Sequence, residues 1–299
     1  MNEIVEADDF WHEASNHRDW RESWYFNWVD LDSSICGFST VALLPNLPKR
    51  EFVIAVFIDG LPKLYLTEPM EPIPKDFDVA MSDGTLRYHL HQPLEEWTID
   101  FQGQQFQAEI QWQQRFPAYD FGPGSGITWG RHFEQSGKVT GTVTLAGGQT
   151  HHFRGLGQRD KSWGVRDWHI DGWFHMMAQF DDFMIGFRQD RVKGKEYVSG
   201  CICTDQRQIP ITQVQVETEF EEDAIRKPVR GRYCITDSEG TQYTLTSELM
   251  GPLTFGRYTR QFSDGFTELF EQMVIYKYHE KAQTGAGLAE YIFTHPLIE

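Results

Sequence analysis

Cysteine is scarce. The 299 residues hold four, Cys36, Cys201, Cys203 and Cys234, too few for a disulfide framework and in no zinc-ribbon spacing, so reduced thiols in the core or on strands are expected. Positive charge is also in deficit: 27 Lys+Arg against 44 Asp+Glu leave a formal charge of −17. No run of Lys/Arg makes a local basic stripe, and a chain this acidic repels phosphate backbones, so no nucleic-acid partner is expected. Long apolar runs are missing too. None approaches the roughly 18 residues that read as a membrane span. The opening Met1 to Phe10 is acidic where a secretory signal would be basic and then apolar. The expectation is a cytoplasmic protein without an integral membrane span.

Aromatic rings, by contrast, are abundant: ten Trp, eleven Tyr and 22 Phe amount to 14% of the chain. That much ring area fills a large core or walls an apolar cavity. The dominant pattern is period two. Phe106, Ala108, Ile110 and Trp112 alternate with Gln105, Gln107, Glu109 and Gln111, which predicts a half-buried antiparallel strand. Val139, Gly141, Val143 and Leu145 repeat the pattern, and Gly147-Gly148 predicts a hairpin into His151 and Phe153. A second hairpin is predicted from Trp173–Phe180 to Phe183–Arg188 across Asp181-Asp182. Val214 to Phe220 and Tyr243 with Leu245 give further strands. Helix signals are few. Residues 7 to 28 suit a short aromatic helix or a winding segment carrying Trp20, Trp24 and Trp28, and 266–274 match a helical template, although strand is favoured from about Gln272 onward. Pro62 to Pro74 is read as a connecting loop or edge, and Pro117 to Gly130 as a glycine- and proline-rich loop near a barrel mouth.

One segment stands apart. Gly155-Leu156-Gly157-Gln158-Arg159-Asp160-Lys161-Ser162-Trp163-Gly164-Val165-Arg166-Asp167-Trp168 packs three glycines, two tryptophans, two aspartates and three cations into fourteen residues. Strand alternation alone does not account for it, and glycine allows turns that bring bulky and charged groups together. It lacks the third glycine and the βαβ context of a dinucleotide site. With His132 to Val139 upstream and Gly285 to Tyr291 near the end, it resembles the two-domain lipocalin-like superfamily that includes carotenoid 1,2-hydratase (hydroxyneurosporene synthase). The likeness covers roughly residues 130–295. It implies an all-β fold of two antiparallel lipocalin-like β-barrel domains with little helix, divided as 1–154 and 155–299, with the motif opening the second. It also implies water addition to isoprenoid double bonds or cyclisation of polyenes, and an essential acid at Asp160. The hydratase branch has tyrosine where Gln158 stands and histidine where Lys161 stands.

Read from its own chemistry, Asp160 is either a buried acid that stays neutral and protonates an alkene, or a salt-bridged group beside Arg159, Lys161 and Arg166. On a strand Arg159 and Lys161 point away from it. His132 and Glu134 share one strand face, as a proton-passing pair or an exposed one. Trp163, Trp168 and Trp173 either face a carbocation or pack a core. Arg159 and Arg166 are candidates for holding the motif and contacting substrate. Neither a metal site nor a cofactor is expected. Two functions remain open: a cofactor-independent hydratase or cyclase of a hydrophobic isoprenoid-like or polyene substrate, and a noncatalytic carrier of a lipophilic small molecule. A homo-oligomer is left open.

Overall fold

The computed structural model describes residues 3–123, 125, 128–222 and 225–296. Gly124 and Gly126 of the glycine-rich loop lie outside them. Strands make up 65% and helix 3%, so the fold is all-β, as the alternation requires. Two compact units divide the chain, 1–166 and 167–299.

The first unit contains β1 (Trp20–Asp30), β2 (Ile35–Leu44), β3 (Lys49–Ile58), β4 (Leu61–Thr67), β5 (Leu86–Gln92), β6 (Glu96–Gln102), β7 (Phe106–Gln114), β8 (Tyr119–Asp120), β9 (Arg131–Leu145) and β10 (Thr150–Val165). They form one antiparallel sheet in the order β4-β3-β2-β1-β10-β9-β7-β6-β5, with β8 paired to β9. This sheet is a half-barrel. One face of it carries the apolar core, with Trp24, Phe26, Trp28, Trp97, Ile110 and Trp112 all nearly inaccessible. Glycine makes room for these rings: a Cβ at Gly137 would lie 2.2 Å from the Trp112 ring.

The second unit contains β11 (Gly172–Gln179), β12 (Met184–Val192), β13 (Lys195–Cys203), β14 (Gln208–Phe220), β15 (Pro228–Asp237), β16 (Gln242–Leu249), β17 (Phe255–Phe262), β18 (Gly265–Tyr278) and β19 (Gln283–Pro296). Its order is β16-β15-β14-β13-β12-β11-β19-β18-β17, and an extra pairing of β16 with β18 closes eight strands into a barrel. Phe174, Phe187, Tyr233, Tyr276 and Tyr291 are buried in its core. The Tyr233 hydroxyl lies 2.7 Å from that of Ser247, and burial pushes its pKa up to about 12 although Ser247 and Tyr291 pull it down.

Three expectations are corrected here. Trp20 to Trp28 is neither helix nor winding plug but β1, because β2 and β10 pair with it along both edges; only Glu6–Asp9 forms a short 3-10 turn ahead of it. The helical template at 266–274 is overridden in the same way, since β17 and β19 satisfy the backbone of β18 on both sides. Finally, the glycine-rich motif is not a junction turn opening a second domain. Residues 155–165 lie in β10 at the centre of the first sheet, and the first unit runs on to Arg166. The one motif glycine with a left-handed backbone is Gly164, φ 131°, where a Cβ would stand 2.2 Å from the Gly130 nitrogen.

Candidate functional site

In an antiparallel sheet, residues directly opposite each other point to the same face. The register sets Asp160 against Tyr25 on β1 and against Glu134 on β9, Gln158 against Asn27 and Ser136, and Ser162 against Ser23 and His132. Those polar side chains therefore share one face of the sheet. Arg159, Lys161 and Trp163 share the opposite face with Trp24 and Phe26.

On the first face the three acid–base candidates come together. His132 Nε2 lies 3.3 Å from Glu134 Oε1 and 3.7 Å from Asp160 Oδ2. His132 and Glu134 are buried, whereas the Asp160 side chain keeps 24% of its surface exposed. The other Glu134 oxygen accepts a 2.9 Å hydrogen bond from Gln158 Nε2. Gln158 is itself tied to Asn27, whose Nδ2 donates to Gln158 Oε1 at 3.0 Å and whose Oδ1 accepts from the Gln158 backbone N–H at 3.1 Å. Ser162 Oγ sits 3.1 Å from Ser23 Oγ and accepts from Arg166 Nη2 at 2.7 Å. The loop before β9 supplies an apolar wall. Phe121 and Trp129 pack on the His132 ring with centroids 5.1 and 4.8 Å away, and Phe121 is anchored by its N–H to the His132 carbonyl at 2.8 Å.

On the opposite face the cations of the motif are fully engaged. Arg159 makes a forked pair to Asp9, 2.5 Å from Oδ1 and 3.1 Å from Oδ2, and donates through Nε to Gln135 at 2.9 Å. Its guanidinium lies about as close to the Trp112 ring, 5.2 Å, as to Phe133, 5.1 Å. Lys161 pairs with Glu22 and sits 4.1 Å over Trp24. Burial pushes the Lys161 pKa below the lysine range even though Glu22 draws it upward. His12 donates its backbone N–H to Glu22 at 2.8 Å, places Nδ1 2.7 Å from it, and stacks on Trp163 at 3.9 Å. Residues of the N-terminal segment thus cover this face, and Trp163 belongs to that cover.

The remaining candidates belong to the second unit. Trp173 Nε1 donates to Glu290 at 2.6 Å, the Arg188 guanidinium stacks 3.8 Å over its ring, and Trp168 lies 5.5 Å from Trp173. Of the sequence candidates, His132, Glu134 and Asp160 are brought together by the fold, and Asn27, Gln158, Asp9 and Glu22, which were not candidates, bond to them, to one another or to the motif cations. Asn27 and Glu22 carried a signal, being polar residues inside the aromatic run of β1.

Solved structures share the fold. Kievitone hydratase from Nectria haematococca is 13% identical with a TM-score of 0.64, covering 91% of this chain and 88% of its own. A protein described as an AttH from Nitrosomonas europaea is 14% identical with a TM-score of 0.67, covering 93% of both chains. CghA, solved with Sch210972, is 12% identical with a TM-score of 0.63, covering 92% of this chain and 88% of its own. At these identities the likeness is one of fold, and it is the two-domain lipocalin-like fold that the sequence motif resembles. No curated protein sequence matches the chain. A family model does, over residues 5–294, and on that extent the chain belongs to the domain family of unknown function DUF7064.

Proposed function

We propose that this protein is an acid–base enzyme that adds water to, or cyclises, a hydrophobic isoprenoid-like or polyene alkene without a cofactor. The observation that carries the reading is the buried His132 imidazole within ion-pair reach of both Glu134 and Asp160. A structural neighbour named as a hydratase supports the reaction class. Asp160, the more exposed carboxyl, is the general acid. Its proton forms a new C–H bond with one alkene carbon, using the π electron pair, and leaves a cation on the other carbon. In hydration a water oxygen bonds to that carbon, and the proton the water loses returns to Asp160 by way of His132, so that one water is added and the acid is restored. In cyclisation a second alkene supplies the electron pair instead, and the ring cation then loses a proton from the adjacent carbon to the Asp160 carboxylate, which forms the product double bond and restores the acid. Phe121 and Trp129, packed on the His132 ring, present apolar surroundings that suit a lipophilic substrate.

The test uses kievitone and geraniol as probes in deuterated water. The enzyme reading expects a product heavier by one water, or an isomeric ring product, with deuterium bound to carbon, and a loss of at least about 100-fold in His132→Asn. Binding of both probes, read by tryptophan quenching, without any turnover would instead identify a carrier.

A further inference from the structure

Glu134 and Asp160 are both carboxyls beside one imidazole, and the surrounding amides distinguish them. Asn27 is oriented by the main chain: its Oδ1 accepts the Gln158 backbone N–H at 3.1 Å, so its Nδ2 is the end that donates to the Gln158 side chain, at 3.0 Å. That bond occupies Gln158 Oε1, so the Gln158 amide can only present its N–H groups to Glu134, which it does at 2.9 Å. Each step fixes the direction of the next. The series begins at a backbone N–H between two central strands and ends at a carboxylate oxygen that is obliged to accept. The imidazole nitrogen that faces this accepting carboxylate is Nε2, the one that also faces Asp160, so Nε2 is the nitrogen placed to donate.

We propose that Asn27 and Gln158 are positioning residues, a one-way relay of amide donors that holds Glu134 as an acceptor and His132 with its proton on Nε2, between Glu134 and Asp160. This rests on the acid–base reading of the same face and assigns the two carboxyls different tasks: Glu134 holds the imidazole, and Asp160 exchanges the proton with substrate. The relay and the groups around it come from several elements. Glu134 lies on β9, Asp160 on β10, Tyr25 on β1, Tyr119 and Asp120 on β8, and Arg166 follows β10 and donates to Ser162 opposite His132.

The experiment is nitrogen-15 NMR of the full chain labelled at histidine, with the His132 signals assigned by their loss in His132→Gln. In the wild type His132 is expected with its proton on Nε2. Gln158→Met removes the donor at constant size, and the share of neutral His132 with its proton on Nε2, read from the two ring-nitrogen shifts, should fall about tenfold relative to the Nδ1 form. Asn27→Ala, which leaves the Gln158 amide free to turn, should shift that ratio in the same direction by less and covers the case in which Gln158→Met does not fold. An unchanged ratio in Gln158→Met, or in Asn27→Ala where Gln158→Met is unfolded, overturns the relay. The spectra need no substrate, so the two readings fail separately. Shifts without turnover of kievitone or geraniol leave the relay standing and remove the enzyme, whereas turnover without shifts does the reverse.

Discussion

The two faces of β10 carry charge to different ends. On one, Arg159 and Lys161 are buried among tryptophans, and each is matched by a carboxylate, Asp9 of the N-terminal segment and Glu22 of β1, while Leu94 and His12 donate to those carboxylates and Gln135 accepts from Arg159. On the other, His132, Glu134 and Asp160 stand at 3.3 and 3.7 Å, ion-pair distances rather than tight hydrogen bonds. Buried ions are tolerated where partners replace their lost hydration. The first face meets that condition in a fixed way and joins the N-terminal segment to the half-barrel. The second gathers three titratable groups within ion-pair reach, the arrangement on which the acid–base proposal rests. A strand with period two can do both, because its alternate residues never meet.

The largest effect expected from breaking this division is Arg159→Met. It leaves Asp9 buried without its forked partner and should cost about 3–5 kcal/mol, read as a lower urea midpoint with an unchanged slope. A loss below about 1 kcal/mol would mean that the Asp9 pair does not hold the first unit together. Gly157→Ala comes next. Its Cβ would meet the Asn27 carbonyl oxygen at 2.1 Å and Val139 Cγ2 at 2.7 Å. The strain should cost about 1–3 kcal/mol, and because Asn27 must shift, the position of the His132 proton should change as well. A full-stability Gly157→Ala would show that β1 and β10 can separate without penalty.

The smallest effect sharpens the contrast within the site face itself. Glu51 stands in the cross-strand row that runs Glu51, Ala42, Ser23, Ser162, His132. Burial opposes its charge, but the Arg21 guanidinium and the Lys49 ammonium outweigh it and hold the carboxyl down at about 2, from an ordinary 4.5. The folded carboxyl is the stronger acid, so the unfolded chain takes up its proton first. The stabilisation is whole above pH 4.5, falls as the pH drops toward 2, and is gone below it. Arg21→Ala should flatten that limb of the stability profile, and an identical acid limb in both proteins would remove Glu51 from the account.

Much of this architecture is legible in the sequence because sheet faces write themselves in alternation. Phe106 to Trp112 appears as β7, the Gly147-Gly148 hairpin joins β9 to β10, and Trp173 to Arg188 forms the expected hairpin of β11 and β12. The Pro62 to Pro74 segment begins as the edge strand β4. What alternation cannot carry is register between strands distant in sequence. His132 and Glu134 share a face by their spacing of two, but only the pairing of β9 with β10 brings Asp160 opposite Glu134. Asn27 and Asp9, more than a hundred residues from their partners Gln158 and Arg159, give no local sign of that role. The mixture of cations, acid and tryptophan in the motif follows no pattern along the chain, and it resolves into two coherent faces once alternate residues are separated.

Whether the charges of the site face serve the proposed chemistry while those of the opposite face serve the fold is tested most directly by Asp160→Asn, a change that keeps shape and removes the acid, assayed for deuterium transfer to the same alkene probes at a concentration of folded protein matched to the wild type. The expected result is deuterated product from the wild type, at least about 100-fold less from Asp160→Asn, and a folding free energy altered by less than about 1 kcal/mol. Undiminished deuterium transfer by Asp160→Asn would contradict it.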